Sequence, residues 1–290
     1  MSDVTPVLLV HGGAGNPSGG AVDDEPAHHE ALRDALLAGY ELLAGGAPAL
    51  DAVETAVRSL EDCPLFNAGR GSVLNAEGHV EMDAAVMDGA TQQPGACAGV
   101  VGVRNPVSLA RSILEKTPHV LLVGEGAVRY AADAGLDFED PDWFVTDRER
   151  QRFAEHGTVG AVALDSTGQL AAATSTGGVR GQLHGRVGDT PVIGAGTWSD
   201  QQVAVSCTGM GEQFIRIAAA HELSAQVRHA GAALADAAAS VVDGLDGGFI
   251  ALGSDGSFAM PFNTALMYRG RAAGGSVQTW IWTDDEERDG

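Results

Sequence analysis

Gly157-Thr158-Val159-Gly160-Ala161-Val162-Ala163-Leu164-Asp165 is the stretch on which the reading of the whole chain turns. Val159 to Leu164 is small, apolar and β-branched, Ser166-Thr167-Gly168 has turn chemistry, and Leu170 to Thr176 runs apolar again. This pattern predicts a buried hairpin with Thr158 at the entry of a core strand. Upstream, Asp147 to His156 is polar and charged apart from two apolar residues, which predicts a mobile connection spanning about 137–157. A Gly-Thr bond at that junction is compatible with a turn before a β-branched residue. That is the commoner case, and the local pattern alone only admits the other, a threonine that cleavage turns into a nucleophilic N-terminus.

Composition bounds the rest. A chain of 290 residues, 44% of them hydrophobic, can bury a sizeable core, and 40 glycines suit tight turns and close backbone approaches. Cys63, Cys97 and Cys207 are odd in number and lie among apolar or small residues, so buried free thiols are expected in a reducing compartment. No stretch approaches the ~20 apolar residues that span a bilayer, and a cytoplasmic location is expected. Acidic residues number 39 against 17 basic ones, a formal charge of −22, and Lys116 is the only lysine. Such a surface repels nucleic acid and anionic membranes, which removes both as expected partners. It reads as an acidic enzyme adapted to concentrated salt, a halophilic trait, because a Debye length of ~3 Å at 1 M removes the self-repulsion.

Along the chain, Val7 to Val10 predicts a strand that ends in His11-Gly12-Gly13-Ala14-Gly15, a tight turn or a close approach. No Gly-Lys-Ser/Thr follows, so a phosphate loop is rejected, and His11 is expected to be a satisfied structural histidine. Apolar spacing predicts helices over Glu25–Leu43, Ala49–Leu60, Ser108–Glu115, Glu125–Ala134 and Glu212–Leu223. Strands are expected over Glu81–Gly89, Cys97–Val103 and Val120–Val123, then over Ala204–Thr208, Phe249–Leu252, Ser257–Met260, Ala265–Arg269 and Ser276–Trp282. Asp83 and Asp88 fall on opposite faces of one strand and are read as structural. The acidic tail from Asp284 is expected to be disordered. Strands in both halves, with one-faced helices, favour two packed sheets covered by helices, an α+β class.

Four further segments mix glycine with chemistry. Glu61 to Asn75 is an ordered loop anchored by Leu65 and Phe66. Gly185-Arg186-Val187-Gly188-Asp189 could hold a surface ion pair or grip an amino acid, with arginine on a carboxylate and aspartate on an ammonium. Thr208-Gly209-Met210-Gly211-Glu212 could cap a helix or line an oxyanion site. Thr174-Ser175-Thr176 brings hydroxyls beside the Thr158 strand.

In this order the segments resemble the plant-type asparaginase and isoaspartyl peptidase family of N-terminal-nucleophile hydrolases, from Val7 to Arg269. The connection before Thr158 is shorter than in many relatives. The resemblance implies a four-layer αββα sandwich made by one domain, 1–290, cut at Gly157-Thr158 into 1–157 and 158–290. It implies hydrolysis of L-asparagine or β-aspartyl peptides by Thr158, with Thr176 and Asn67 beside it and Thr208 and Gly209 at the oxyanion. Arg186, Asp189, Thr208, Gly209 and Gly211 would bind substrate. The backbone carbonyls of Leu60, Glu61, Cys63, Phe66, Ala68 and Arg70 would hold a structural sodium ion, and no cofactor would take part in the chemistry. A homodimer of αβ pairs is implied. The alternatives are an aspartylglucosaminidase, which the Gly157-Thr158-Val159-Gly160 and His11–Gly15 wording fits less well, and a non-catalytic amino-acid binding protein.

Overall fold

The computed structural model describes residues 4–16, 22–146 and 157–283. The middle of the expected connection and the acidic tail therefore lie outside the described residues. Two sheets and eight helices are described. The first sheet has the order β12-β11-β1-β5-β6-β2-β3-β4 and the second the order β10-β9-β8-β7. In chain order the strands of the first are β1 (Val7–Gly15), β2 (Met82–Asp88), β3 (Gln93–Val100), β4 (Leu121–Val123), β5 (Val159–Leu164), β6 (Leu170–Thr176), β11 (Leu266–Ala273) and β12 (Ser276–Trp282). The second holds β7 (Thr197–Ser199), β8 (Val203–Gly209), β9 (Gly247–Gly253) and β10 (Phe258–Ala259). All pairings are antiparallel except β3 with β4.

The predicted hairpin is β5 and β6, with the expected bounds and a register from Val159↔Ser175 to Leu164↔Leu170. Its residues are apolar on both faces because both faces are covered. Leu8, Val10, Ala161 and Ala163 pack under helices α1 (Glu25–Ala44) and α2 (Ala49–Asp62), while Val7, Leu9, Val162 and Leu164 meet Ala204, Ile250 and Leu252 of the second sheet. Helix α3 (Pro106–Lys116) covers β2 and β3, followed by α4 (Gly124–Asp133) and the short α5 (Pro141–Phe144). The far face of the second sheet, with Val203, Val205, Cys207 and Phe249, is closed by α6 (Gly211–Ile217), α7 (Ala219–Ala230) and α8 (Leu234–Val242). Each fully buried Leu, Val or Phe in these layers contributes ~1.5–3 kcal/mol. Cys97 and Cys207 are buried and Cys63 partly so, and none of the three is in a disulfide among the described residues. No described helix is long and apolar enough to cross a membrane.

Several expectations need correction. The glycine run after Val10 is not a turn: β1 continues to Gly15 through a bulge between His11 and Gly13. The close approach is there, since a Cβ on Gly12 would lie 2.4 Å from the Phe66 ring. Strand β3 starts earlier than Cys97, because Asp88 accepts from Ala90 N and Thr91 Oγ1 and closes the hairpin at once, and it ends at Val100 before Gly102 turns at φ +77°. The helix expected over Glu212–Leu223 is two helices, broken at Ala218 with φ 50°. The new N-terminus is satisfied by a loop, as Ala220 N and His221 N donate to the carbonyls of Ala195 and Gly194. Finally, the described start of the connection is anchored rather than mobile. Phe144 is buried, its carbonyl accepts from Gly71 N, and the guanidinium groups of Arg70 and Arg104 lie over the Trp143 ring.

Candidate functional site

The antiparallel register of β1 with β5 brings the glycine bulge of β1 against the start of β5. Gly13, at φ +114°, lies so close to Gly157 and Thr158 that a Cβ there would be 3.1 Å from Gly157 Cα. A side chain at that point would push Thr158 out of register, which is a local reason for the glycines. Thr158 is buried, and its Oγ1 donates to Thr176 Oγ1 at 3.1 Å. Thr176 Oγ1 in turn donates to the carbonyl oxygen of Gly157 at 3.0 Å. Asn67 Nδ2 donates to the same oxygen at 2.7 Å and to Gly178 O at 2.7 Å, with its own Oδ1 held by Val73 N at 2.9 Å. Two donors thus converge on the carbonyl of the Gly157-Thr158 bond, next to the hydroxyl of Thr158. Charge developing on that oxygen would be stabilised where it forms.

Thr208, near the end of β8, reaches β1 from the second sheet: its Oγ1 accepts from Ala14 N at 3.3 Å, which leaves the hydroxyl proton to be donated. It does not cap a helix, for α6 starts after Met210 without a side-chain cap. Behind the nucleophile strand, His11 Nε2 bonds Ser206 Oγ at 2.9 Å in full burial, and that burial pushes its pKa down to about 3. His11 is therefore neutral, but only its Nε2 is satisfied: the buried Nδ1 has no hydrogen-bond partner among the described residues, so the fully satisfied histidine expected from the sequence is met on one nitrogen alone.

Arg186 and Asp189 do not form a surface pair with each other. Asp189 is buried, its Oδ2 has no hydrogen-bond partner among the described residues, and burial pushes its carboxyl up to about 7 against the opposing pull of Arg186. A buried acceptor without a donor is costly, and an ammonium group would satisfy it. The Arg186 fork is partly taken. Nε and Nη2 donate to the two carboxylate oxygens of Glu212 at 2.9 and 3.0 Å, and Nη1 reaches Gln182 Oε1 at 3.3 Å. The guanidinium has two forks, and Glu212 fills the one made by Nε and Nη2, so an incoming carboxylate would dock on the Nη1/Nη2 end. Gly211 keeps this corner open: a Cβ there would lie 2.7 Å from Asp189 Oδ1 and 3.1 Å from Arg186 Nη2. Glu212 was visible in sequence only as the first residue of a helix, and its partner lies 26 positions away.

The loop after α2 folds around two left-handed glycines. Glu61 O accepts from Arg70 N at 2.7 Å, and Cβ atoms on Gly69 and Gly71 would lie 2.4 Å from Glu61 O and 2.6 Å from Phe66 O. Carbonyls of Glu61, Pro64 and Phe66 thus converge on bare glycines. Among the described residues no group of three or more His, Cys, Asp or Glu could hold a metal ion, so a cation here would depend on backbone oxygens. Phe66 and Ala68 are buried, as the packing reading also expects.

The family model described as asparaginase matches residues 4–156 and 150–281. This chain belongs to the asparaginase family. It is 44% identical over 303 residues to the isoaspartyl peptidase of Escherichia coli, with 94% of each chain covered. It is 40% identical to the isoaspartyl peptidase/L-asparaginase of Rattus norvegicus, covering 96% of this chain and 90% of that one. To the plant-type L-asparaginase of Pyrococcus abyssi it is 45% identical, over 76% of this chain and 79% of that one. The family agrees with the mixed α/β architecture, and the names of these relatives favour a hydrolase over an inert binding protein.

Proposed function

We propose that this chain is an autoprocessing threonine hydrolase that cleaves the side-chain amide of L-asparagine and β-aspartyl peptides. The observation that carries the reading is the pair of donors, Asn67 and Thr176, aimed at the Gly157 carbonyl beside the Thr158 hydroxyl. Thr158 Oγ attacks the Gly157 carbonyl carbon, the peptide nitrogen leaves as the Thr158 amine, and water hydrolyses the resulting ester. Chains 1–157 and 158–290 result, within one domain in a four-layer αββα arrangement. A hydroxyl is a weak nucleophile without a base, and the freed α-amine, titrating near ~8, can supply one. Thr158 Oγ then attacks the substrate side-chain carbonyl. Thr208 and Gly209 stabilise the oxyanion, ammonia or an amine leaves, and water resolves the β-aspartyl ester. Arg186 receives the α-carboxylate and Asp189 the α-ammonium, with Gly211 keeping room for both.

By resemblance, the loop carbonyls of Leu60, Glu61, Cys63, Phe66, Ala68 and Arg70 would hold a structural sodium ion, which would stiffen the segment that carries Asn67 and take no part in bond breaking. The working form is a cytoplasmic dimer of αβ pairs acting on small molecules. N-terminal sequencing of the purified protein tests the reading: the smaller fragment should begin Thr-Val-Gly-Ala.

Asp189 gives the site a pH dependence. Its carboxyl sits at about 7 through burial, and only the anion pairs with an ammonium. As pH rises through that value kcat/KM for L-asparagine should rise, roughly tenfold between about pH 6 and 8. Bound ammonium pulls the carboxyl back down, so kcat should lack this limb, whereas titration of the Thr158 amine enters both quantities. A flat kcat/KM over that range would remove Asp189 from ammonium recognition.

The charge of −22 supports adaptation to concentrated salt. Melting temperature and activity should then climb together from dilute buffer to molar KCl, as screening removes the self-repulsion. Highest stability in dilute buffer would refute the adaptation and leave the catalytic reading intact.

A further inference from the structure

Two buried carboxylates that the reaction scheme does not use stand directly behind the clamp. Glu81 precedes β2 and Asp83 is its second residue, and the exposures of the two are only 6% and 3%. Gly185 N donates to Glu81 Oε1 and Oε2 at 3.1 and 3.2 Å, and Asn75 Nδ2 anchors Glu81 Oε2 from the other side at 2.7 Å. Gly188 N donates to Asp83 Oδ2 at 3.4 Å, while Gly99 N fixes Asp83 Oδ1 at 2.8 Å. Gly185 and Gly188 flank Arg186 in sequence, so the turn that carries the guanidinium is gripped on both sides from one strand. The same strand is in register with the nucleophile: Asp83 is the Cα partner of Thr176, whose hydroxyl accepts from Thr158 Oγ1.

We propose that Glu81 and Asp83 are positioning residues for the substrate clamp, pinning the Gly185 and Gly188 amides so that Arg186 stands at a fixed reach from Thr158. The inference rests on the reading of Arg186 as the α-carboxylate receptor. The chemistry favours carboxylates because Asp83 gives one oxygen to Gly188 N and the other to Gly99 N, while Glu81 receives Gly185 N on both oxygens and Asn75 Nδ2 on Oε2. An amide at Asp83 must set an N–H2 group against Gly99 N or Gly188 N, and one at Glu81 must set it against Gly185 N, which is now shared between the two oxygens. Tying Arg186 by its backbone costs none of the guanidinium donors, so the side chain keeps them for Glu212 and the substrate.

The test uses the cleaved enzyme carrying Asp83→Asn or Glu81→Gln, assayed with L-asparagine, a β-aspartyl dipeptide and 3-aminopropanamide, which is asparagine without its α-carboxylate. For the first two substrates KM should rise roughly tenfold, the scale of one misplaced charge-assisted hydrogen bond, with kcat within about threefold of wild type. The dissociation constant of L-aspartate should weaken by the same factor. Kinetics on 3-aminopropanamide and the yield of the 158–290 fragment should be unchanged. In an Arg186→Ala background the second substitution should add nothing to KM, since it acts through a group already removed. A loss confined to kcat, an equal penalty on 3-aminopropanamide, or additivity with Arg186→Ala overturns the proposal. If Asp83→Asn does not accumulate folded, Glu81→Gln and its double variant carry the test alone. Should Arg186→Ala itself leave KM untouched, the clamp reading fails; should it raise KM while both carboxylate variants do not, only the positioning role falls.

Discussion

Thr158→Ala is expected to purify as one uncut chain with hydrolysis of L-asparagine lower by 10⁴-fold or more, roughly 5.5 kcal/mol of lost transition-state stabilisation. Both effects have one cause, since the same oxygen attacks Gly157 in the precursor and the substrate afterwards. The Gly157 carbonyl would still receive Asn67 and Thr176, but a polarised carbonyl with no nucleophile beside it is only a well-bonded peptide. Thr158→Ser restores the oxygen and drops only a methyl group. It should cut itself and hydrolyse asparagine, more slowly than wild type because the serine rotamer is less constrained. Mass spectrometry of each purified variant, run beside an ammonia-release assay, reads both outcomes. A wild type that hydrolyses asparagine as a single uncut chain would overturn the mechanism, whatever the variants do.

What the sequence exposed and what it hid divide along a physical line. The β5–β6 hairpin was legible residue by residue because both of its faces are buried, and local composition alone reports that. Helices α1 and α2 were legible because their apolar stripes repeat at helical spacing. The break at Ala218 was not, since it exists only because the Gly194 and Ala195 carbonyls, more than twenty positions upstream, satisfy the amides of a new helix start. The anchored start of the connection hid for the same reason, as Trp143 and Phe144 find their partners at Arg70, Arg104 and Gly71. Thr158, Thr176 and Asn67 follow from the resemblance, and in the fold Asn67 and Thr176 donate to the Gly157 carbonyl while the Thr158 hydroxyl donates to Thr176. The resemblance did not show Glu212 on the side of Arg186, or Glu81 and Asp83 behind it. Those contacts cross between elements, and a single chain records spacing along itself, not across a sheet.

Arg186→Ala and Asp189→Ala are expected to cut themselves normally and then to hydrolyse L-asparagine and β-aspartyl dipeptides ten- to a hundredfold less efficiently. Asp189 is buried with one carboxylate oxygen unpartnered, and Arg186 is held on one fork by Glu212. An amino-acid head group brings an ammonium for the first and a carboxylate for the Nη1/Nη2 end of the second, where Gln182 holds Nη1 by one bond of 3.3 Å. Each contact is charge-assisted and distant from the bond that breaks, so losing one should cost ~1.5–3 kcal/mol. Autocleavage engages no head group, which is why fragment yield separates a clamp defect from a folding defect. Losing Arg186 also frees Glu212 as a second negative charge facing the substrate carboxylate, so Arg186→Ala should be the worse of the two. Removing Glu212 as well should recover part of that difference. N-acetylasparagine keeps the carboxylate and the scissile amide but offers Asp189 no ammonium, so wild type should turn it over poorly. Turnover of N-acetylasparagine at the rate of asparagine would mean that Asp189 reads no ammonium, and its raised carboxyl pKa would then report burial alone.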